Sequence, residues 1–302
     1  MTLRNIAKSL INKCGYDLNL YRVAPKQYEG KSLAFIHIAK CGGTSVDLAL
    51  RSALAAPNER RINRDATIAA SLNTFAASQH ELASNIKQQT AFSEHHARQL
   101  QTVLAYHLGL NWRFVSGHVA ISTAILDGYQ SQYDFVTVLR DPIQRFVSNY
   151  IYNKMTNTSH IMPPNALSQD NLIAEAQQIL TSKRGWHMAN TNTMFLTGRY
   201  PKDAADASAM QQEVEINLSK FSVVGFLDNL ADFEQQCSVL TGRDIKIGQH
   251  NITSRFEDEQ QMQTKETLRE FFASKTSQSK LQTLCASELV NYEKAIARFG
   301  HR

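Results

Sequence analysis

Residues Leu33 to Asp47 constrain this chain most. Leu33 to Ile38 is a short apolar run that reads as a buried parallel strand. It leads into Lys40-Cys41-Gly42-Gly43, where two successive residues carry no side-chain bulk. Thr44 and Ser45 then open a helical pattern that runs to about Leu54, with Ala55-Ala56-Pro57 as its breaker. Strand, Gly-rich turn and helix start build an anion cradle: glycine lets backbone N–H groups approach a ligand closely, and a helix N-terminus presents unpaired donors and the positive end of its dipole. Thr44 with Asp47 three residues on reads as a capping box. The order is not that of a Walker A loop, in which Lys follows the second Gly and precedes Ser/Thr; here Lys40 comes before the glycines and would reach in from the strand side. An ordinary strand–turn–helix joint, with glycine for close packing, is the alternative.

Two further segments have the same grammar. Trp112 to Val115 is an apolar run that stops at Ser116-Gly117-His118, so His118 is expected at a strand's C-terminal end, where ligands bind in open α/β sheets. Ala120 to Leu126 reads as a short helix. Tyr133 to Leu139 is a third strand, followed by Arg140-Asp141-Pro142 and a helix through Tyr150. Asp141 is the expected N-cap and Pro142 the first helical residue. Arg140 then stands at the strand tip, and Arg145 and Ser148 share a helix face. Arg140 with Ser148 makes a second phosphate site or, alternatively, a structural Arg140–Asp141 network. Phe221 to Phe226 is the fourth strand.

Helical segments fill the rest. Residues 65–108 predict two helices with a break near Thr90, in which the adjacent His95 and His96 point apart and read as surface histidines. Residues 58–64, with Arg60, Arg61 and Arg64, read as a solvated basic loop or an acceptor contact. Further helices are expected at about 169–182, 186–197, 203–218, 232–240, 262–275 and 277–298, with loops at 153–168 and 244–260. Strands alternating with helices define an α/β fold with a central parallel sheet flanked by helices. The domain plan is an N-terminal helix and linker over 1–32, then one domain over 33–302 with a helical insert at about 51–111.

Composition narrows the function classes. The chain has 302 residues, enough for a sizeable core. Its net charge of +5 suits a polyanionic ligand but is too small and too evenly spread to indicate nucleic acid, and no nucleic-acid motif is present. Cys14, Cys41, Cys237 and Cys285 are far apart and read as free thiols of a reducing compartment. No apolar stretch has the ~20 residues of a membrane span. The basic, mildly amphipathic stretch from Met1 to Arg22 offers a peripheral membrane contact, a docking helix or a loose tail. It lacks a signal peptide's apolar core, so a cytoplasmic location is expected and the sequons at Asn157, Asn217 and Asn251 carry no weight. No carboxylate cluster for a metal ion is evident.

Taken in order, F-I-H-I-x-K-x-G-G-T-S, then G-H-V, then V-L-R-D-P-I-x-R-x-x-S-x-Y resemble the sulfotransferases that use 3′-phosphoadenosine-5′-phosphosulfate (PAPS). The likeness is greatest to carbohydrate sulfotransferases of the uronyl/heparan 2-O-sulfotransferase type and their bacterial relatives. This resemblance implies a P-loop-like sulfotransferase fold and sulfuryl transfer from PAPS, as co-substrate and without a metal, to a hydroxyl of a carbohydrate or glycoconjugate. It implies that Lys40, Gly42, Gly43, Thr44 and Ser45 form the 5′-phosphosulfate loop, that Arg140 and Ser148 bind the 3′-phosphate, and that His118 is the catalytic base with Lys40 at the breaking bond. Some relatives have H-G-H where this chain has Ser116-Gly117-His118, which leaves His118 as the motif's one base. Arg255 and the 153–168 loop are candidates for nucleotide or acceptor contact. A small-molecule or lipid acceptor, a nucleotide-dependent kinase and a non-catalytic binding module are the competing readings; the absent G-K-[ST] order counts against the kinase.

Overall fold

The computed structural model describes residues 30–56, 58–75, 82, 85–156, 169–248 and 259–300. The N-terminal helix, Arg255, most of the 153–168 loop and the sequons at Asn157 and Asn251 lie outside them. Four strands form one parallel sheet in the order β2-β1-β3-β4: β1 is Ser32–Ile36, β2 Phe114–Gly117, β3 Tyr133–Leu139 and β4 Val223–Phe226. Leu33 to Ile36 face helices on both sides of the sheet and are at most 1% exposed, which explains the unbroken apolar run. Registers pair Ile36 with Gly117 on one side and with Thr137 on the other. The Thr137 hydroxyl donates to the Ile36 carbonyl at 2.9 Å, which satisfies the polar group this central strand buries.

Strand order decides where a ligand can sit. From β1 the chain goes to β2 on one side, then crosses to β3 on the other. The β1/β3 pair is therefore the topological switch point, and a crevice opens beyond the C-terminal ends of these strands. The residues that follow β1 and β3 are the Gly-rich turn and Arg140.

Thirteen described helices surround the sheet. Helix α1 (Gly43–Leu54) follows β1. Helices α2 (Arg64–Thr74) and α3 (Ile86–Gly109) form the insert, joined by a small core of Ile68, Leu82 and Phe92. Helix α4 is Thr123–Tyr129 and α5 is Pro142–Met155. Then come α6 (Gln169–Ile179), α7 (Lys183–Ala189), α8 (Thr191–Thr197) and α9 (Ala204–Leu218). Helix α10 is Leu230–Thr241, and α11 (Glu259–Ala273), α12 (Lys275–Leu284) and α13 (Ala286–Phe299) end the chain. Phe146 and Tyr150 of α5 pack on Leu268 and Phe272 of α11 in a second core beside the sheet core.

Several boundaries differ from the sequence expectation, each for a local reason. The insert breaks before Ile86, not near Thr90. Asn85 caps α3 by accepting from the Lys87 and Gln88 amides, whereas Thr90 sits inside the helix and returns its hydroxyl to the Ile86 carbonyl at 2.8 Å. Strand β2 starts two residues later than expected, because Ser116 and Gly117 are strand residues and Trp112 is not. The short helix after it also starts later, behind the Ser122 cap. Residues 186–197 form two helices that meet at Asn190, and the stretch expected as one helix over 277–298 is two, which meet at Cys285; the break before it falls at Ser274, which accepts from the Ser277 amide. Thr44 and Asp47 make no capping box. The cap of α1 is Gly42, in the left-handed region, and the Asp47 carboxylate turns inward to accept the Ser116 hydroxyl. Asn217 is fully buried and bonded to the Leu196 carbonyl, so its side chain is not available for modification.

Candidate active site

The turn after β1 is wound by two left-handed residues, Lys40 (φ 68°) and Gly42 (φ 73°). Alternation of this kind turns backbone N–H groups toward one concavity, the geometry of an anion nest. At Lys40, which carries a Cβ, it is a strained conformation that costs roughly 1 kcal/mol. Gly43 is required by a close approach. A Cβ there would lie 2.0 Å from Cδ2 of His37, whose ring covers the turn. The Lys40 ammonium lies 3.9 Å from the centroid of the Tyr152 ring. Burial, then the neighbouring Arg140 charge, lowers its pKa to about 8. Arg140 reaches across the switch point and donates to the Lys40 carbonyl at 3.2 Å, joining the tips of β1 and β3.

Asp141 caps α5 as expected, accepting from the Gln144 amide at 2.8 Å, with Pro142 at the first turn. This sets the helix's rotation. Ser148 faces the same cavity as Arg140. Arg145 does not: it is wholly buried and donates to the Met188 and Ala189 carbonyls, so it ties α5 to the end of α7.

His118 leaves the end of β2. Its Nδ1 bonds the His37 carbonyl at 2.8 Å, and its ring lies 4.1 Å from the His37 ring and 6.3 Å from Phe195. Burial is the main reason its pKa is lowered to about 3, and the Arg61 and Arg64 charges add to it. It is therefore a neutral imidazole at physiological pH.

All eight residues singled out from the sequence, Lys40, Gly42, Gly43, Thr44, Ser45, His118, Arg140 and Ser148, line one cavity of about 880 Å³. More of its wall comes from the insert, α7 and α8, including Arg64, Phe92, His96, Arg184, Met194 and Phe195, and another part from Leu227 and from α10 with Leu230 and Glu234. His96 is not a surface histidine: it lines the cavity, bonds the Ser71 hydroxyl at 2.7 Å, and burial lowers its pKa to about 4. Nor is the 58–64 stretch a solvated loop. Glu59 is buried and accepts from the Arg113 and Phe114 amides at the start of β2, and the Ile62 amide bonds the Ser116 carbonyl at 3.0 Å. The segment is strapped along the sheet edge, which delivers Arg64 to the cavity and Arg61 to His37. Sequence reasoning missed His37 and Arg184, and named Arg61 only as part of a basic stretch, not as the partner of His37. His37 was present in the first motif as its one polar residue among apolar neighbours, and that was the available signal.

A parallel sheet with a left-handed turn at its switch point, a lysine and an arginine beside it and an imidazole lining the same cavity suit a ligand that carries anionic groups. The Sulfotransferase family model matches residues 26–293, and the chain belongs to that family, whose members transfer sulfuryl groups. A search of curated proteins finds no significant match. No helix among the described residues is long and apolar enough to cross a membrane.

Proposed function

We propose that this enzyme transfers the sulfuryl group of PAPS to a hydroxyl of a carbohydrate or glycoconjugate, as the resemblance to uronyl/heparan-type sulfotransferases suggests. The convergence of Lys40, the Gly42–Gly43 turn, His118, Arg140 and Ser148 on one cavity at the β1/β3 switch point carries this reading.

The residues present suit PAPS. The left-handed turn at Lys40–Gly42 and the N-terminus of α1, with Thr44 and Ser45, suit the 5′-phosphosulfate. Arg140 and Ser148 suit the 3′-phosphate. When bound, PAPS supplies the sulfuryl group, and its 5′-phosphate departs with the electron pair of the broken S–O bond. Lys40 and the turn's amides hold positive charge where that negative charge develops. His118, neutral and pinned through Nδ1, offers Nε2 to take the proton of the acceptor hydroxyl as its oxygen bonds to sulfur. Negative charge in the cavity raises the basicity of this imidazole toward the working range.

Arg64 and Arg184 on the far wall suit an acceptor with an acidic group, as in an acidic sugar. Phe92, Met194 and Phe195 on the same wall favour a second reading, a small-molecule or lipid acceptor with an apolar body. The test is binding of the desulfated 3′,5′-bisphosphate nucleotide against ATP–Mg²⁺, followed by labelled PAPS with acidic glycans and with apolar alcohols. The proposal predicts bisphosphate binding, label transfer by the wild type, and a His118→Ala variant that binds nucleotide but does not transfer. Preferential binding of ATP–Mg²⁺ would move the reading to a kinase, and full turnover by His118→Ala would remove His118 as base.

A further inference from the structure

His37 and Arg61 stand directly behind His118, and the geometry fixes the protons on both histidines. A guanidinium has only donors, so the 2.8 Å contact from Arg61 Nη2 to His37 Nδ1 makes that nitrogen an acceptor and puts the His37 proton on Nε2. A carbonyl has only lone pairs, so the 2.8 Å contact of His118 Nδ1 with the His37 carbonyl puts the His118 proton on Nδ1. Two imidazoles with centroids 4.1 Å apart are thus held in opposite tautomers. His37 cannot drift: it stacks on Phe35 at 5.5 Å, lies on Gly43, and its amide bonds the Gly117 carbonyl at 3.1 Å. Arg61 is anchored in turn, with Nε 3.8 Å from the buried Asp47 carboxylate that also accepts the Ser116 hydroxyl. The groups acting on the His118 ring are His37 at the end of β1, Arg61 before α2, Arg64 of α2, His96 of α3 and Phe195 of α8. None of them is acidic, so nothing in this set competes for the Nδ1 proton or draws a proton onto Nε2.

We propose that Arg61 is a positioning residue that fixes the tautomer and place of the His37 ring, the ring against which His118 packs with its Nδ1–H on the His37 carbonyl and its Nε2 open as the proton acceptor. The proposal rests on the reading of His118 as the base, but it can be tested without an acceptor. Arg61 itself touches neither the donor's sulfur nor the acceptor hydroxyl. Its work is to hold the His37 ring beside His118, whose Nδ1–H donates to the His37 carbonyl.

The experiment is a long-range proton–nitrogen NMR spectrum of the full chain, labelled in histidine, from pH 6 to 8. His118→Gln and His37→Asn identify the two ring systems. In the wild type, His118 should show the Nδ1–H pattern and His37 the Nε2–H pattern, with neither titrating in this range. Arg61→Met, at a half-exposed position, should convert the His37 signals to a tautomer mixture. It should lower kcat about tenfold or more, part of the ~100- to 10,000-fold that a positioned base supplies. Affinity for the 3′,5′-bisphosphate should stay near wild type. Arg61→Lys keeps a charged donor and should restore most of both readouts. A merely structural Arg61 would lower thermal stability and leave the tautomers alone. A wild-type His118 with its proton on Nε2 overturns the proposal, as does an Arg61→Met variant with unchanged tautomers and kcat. If the tautomers are as stated but no PAPS-dependent transfer occurs, the reading of the reaction falls and the tautomer assignment stands.

Discussion

Gly43→Ala is the sharpest perturbation of this site. The new methyl carbon would sit 2.0 Å from His37 Cδ2 and 2.2 Å from Nε2, against 3.4–4 Å for ordinary contact. The ring would have to retreat by about 1.4 Å, the difference between 3.4 and 2.0 Å. It has nowhere to go: His37 is 4% exposed, with Phe35 and His118 stacked against it and Arg61 bonded at Nδ1. Overpacking of this kind costs ~1–3 kcal/mol. Loss of the charge-assisted Arg61 bond adds roughly 1 kcal/mol, at the low end of its range because Arg61 is half-exposed and can rehydrate. The total is about 3 kcal/mol. Unfolding entropy scales as ~2.1 cal/mol/K per residue, or ~0.6 kcal/mol/K for this chain, so Tm should fall by about 5 °C. Turnover should fall further than stability, because the displaced ring carries the His118 contact with it. Gly128→Ala is the control. It lies within α4 with nothing inside 4 Å of its added Cβ, and should gain up to ~1 kcal/mol from helix propensity. Scanning calorimetry and bisphosphate titration check both variants. A Gly43→Ala protein with wild-type Tm and wild-type nucleotide affinity would refute the pinned-ring argument.

If the nucleotide binds as proposed, Lys40 should make its binding proton-linked. Its pKa of about 8 in the free protein, set by burial and then by Arg140, should rise when an anion neutralises the site, so binding takes up a proton. Bisphosphate affinity should therefore hold below pH 8 and fall above it, approaching tenfold per pH unit, and Lys40→Met should flatten that slope in calorimetric titrations. Cys41, Cys237 and Cys285 should resist iodoacetamide at pH 8 in the folded protein and react in denaturant, read by mass. All three are buried, and burial pushes each thiol up to about 12.

The strands were the most legible part of this fold. Tyr133–Leu139 was readable to the residue because every position except Asp134 is buried between helices, and a turn signal follows at once. The cap of α5 was readable because Asp141-Pro142 acts locally, through one amide and one fixed φ. The capping box at Thr44 failed because a tertiary partner won. Asp47 has the Ser116 hydroxyl and two arginines to satisfy, 3.4 Å from Arg51 and 3.8 Å from Arg61, and these outweigh one amide at the helix start. The break at Asn85 was misplaced, and those at Asn190 and Cys285 were missed, because no Pro or Gly marks them. At Asn85 a single side-chain cap of a kind that also occurs harmlessly inside helices makes the boundary, and at Asn190 and Cys285 no side-chain cap does.

The same distinction explains which site residues could be read. Lys40, Gly42, Gly43, Arg140 and Ser148 lie on two short segments whose chemistry is local, so their spacing announced them. His37 and Arg61 have no local signature. One completes an apolar run and the other sits in a basic stretch that looks solvated. They acquire a role only when parallel pairing of β1 with β2 places His37 against His118, 81 residues away in the chain. A parallel sheet permits no hairpin, so every such neighbour is supplied by a crossover connection, and the crossover here is the insert itself. The insert thus does two jobs at once. Strapped to the edge of β2 by Glu59 and Ile62, its first segment carries Arg61 to His37, behind the proposed base, while α2 and α3 carry Arg64, Phe92 and His96 to the cavity. A change in the insert that altered acceptor choice by moving α2 would pull on Arg61 through Asn63, the cap residue between them. On the proposed reading, a change of acceptor choice made by moving α2 should therefore also disturb the His37 ring that Arg61 holds.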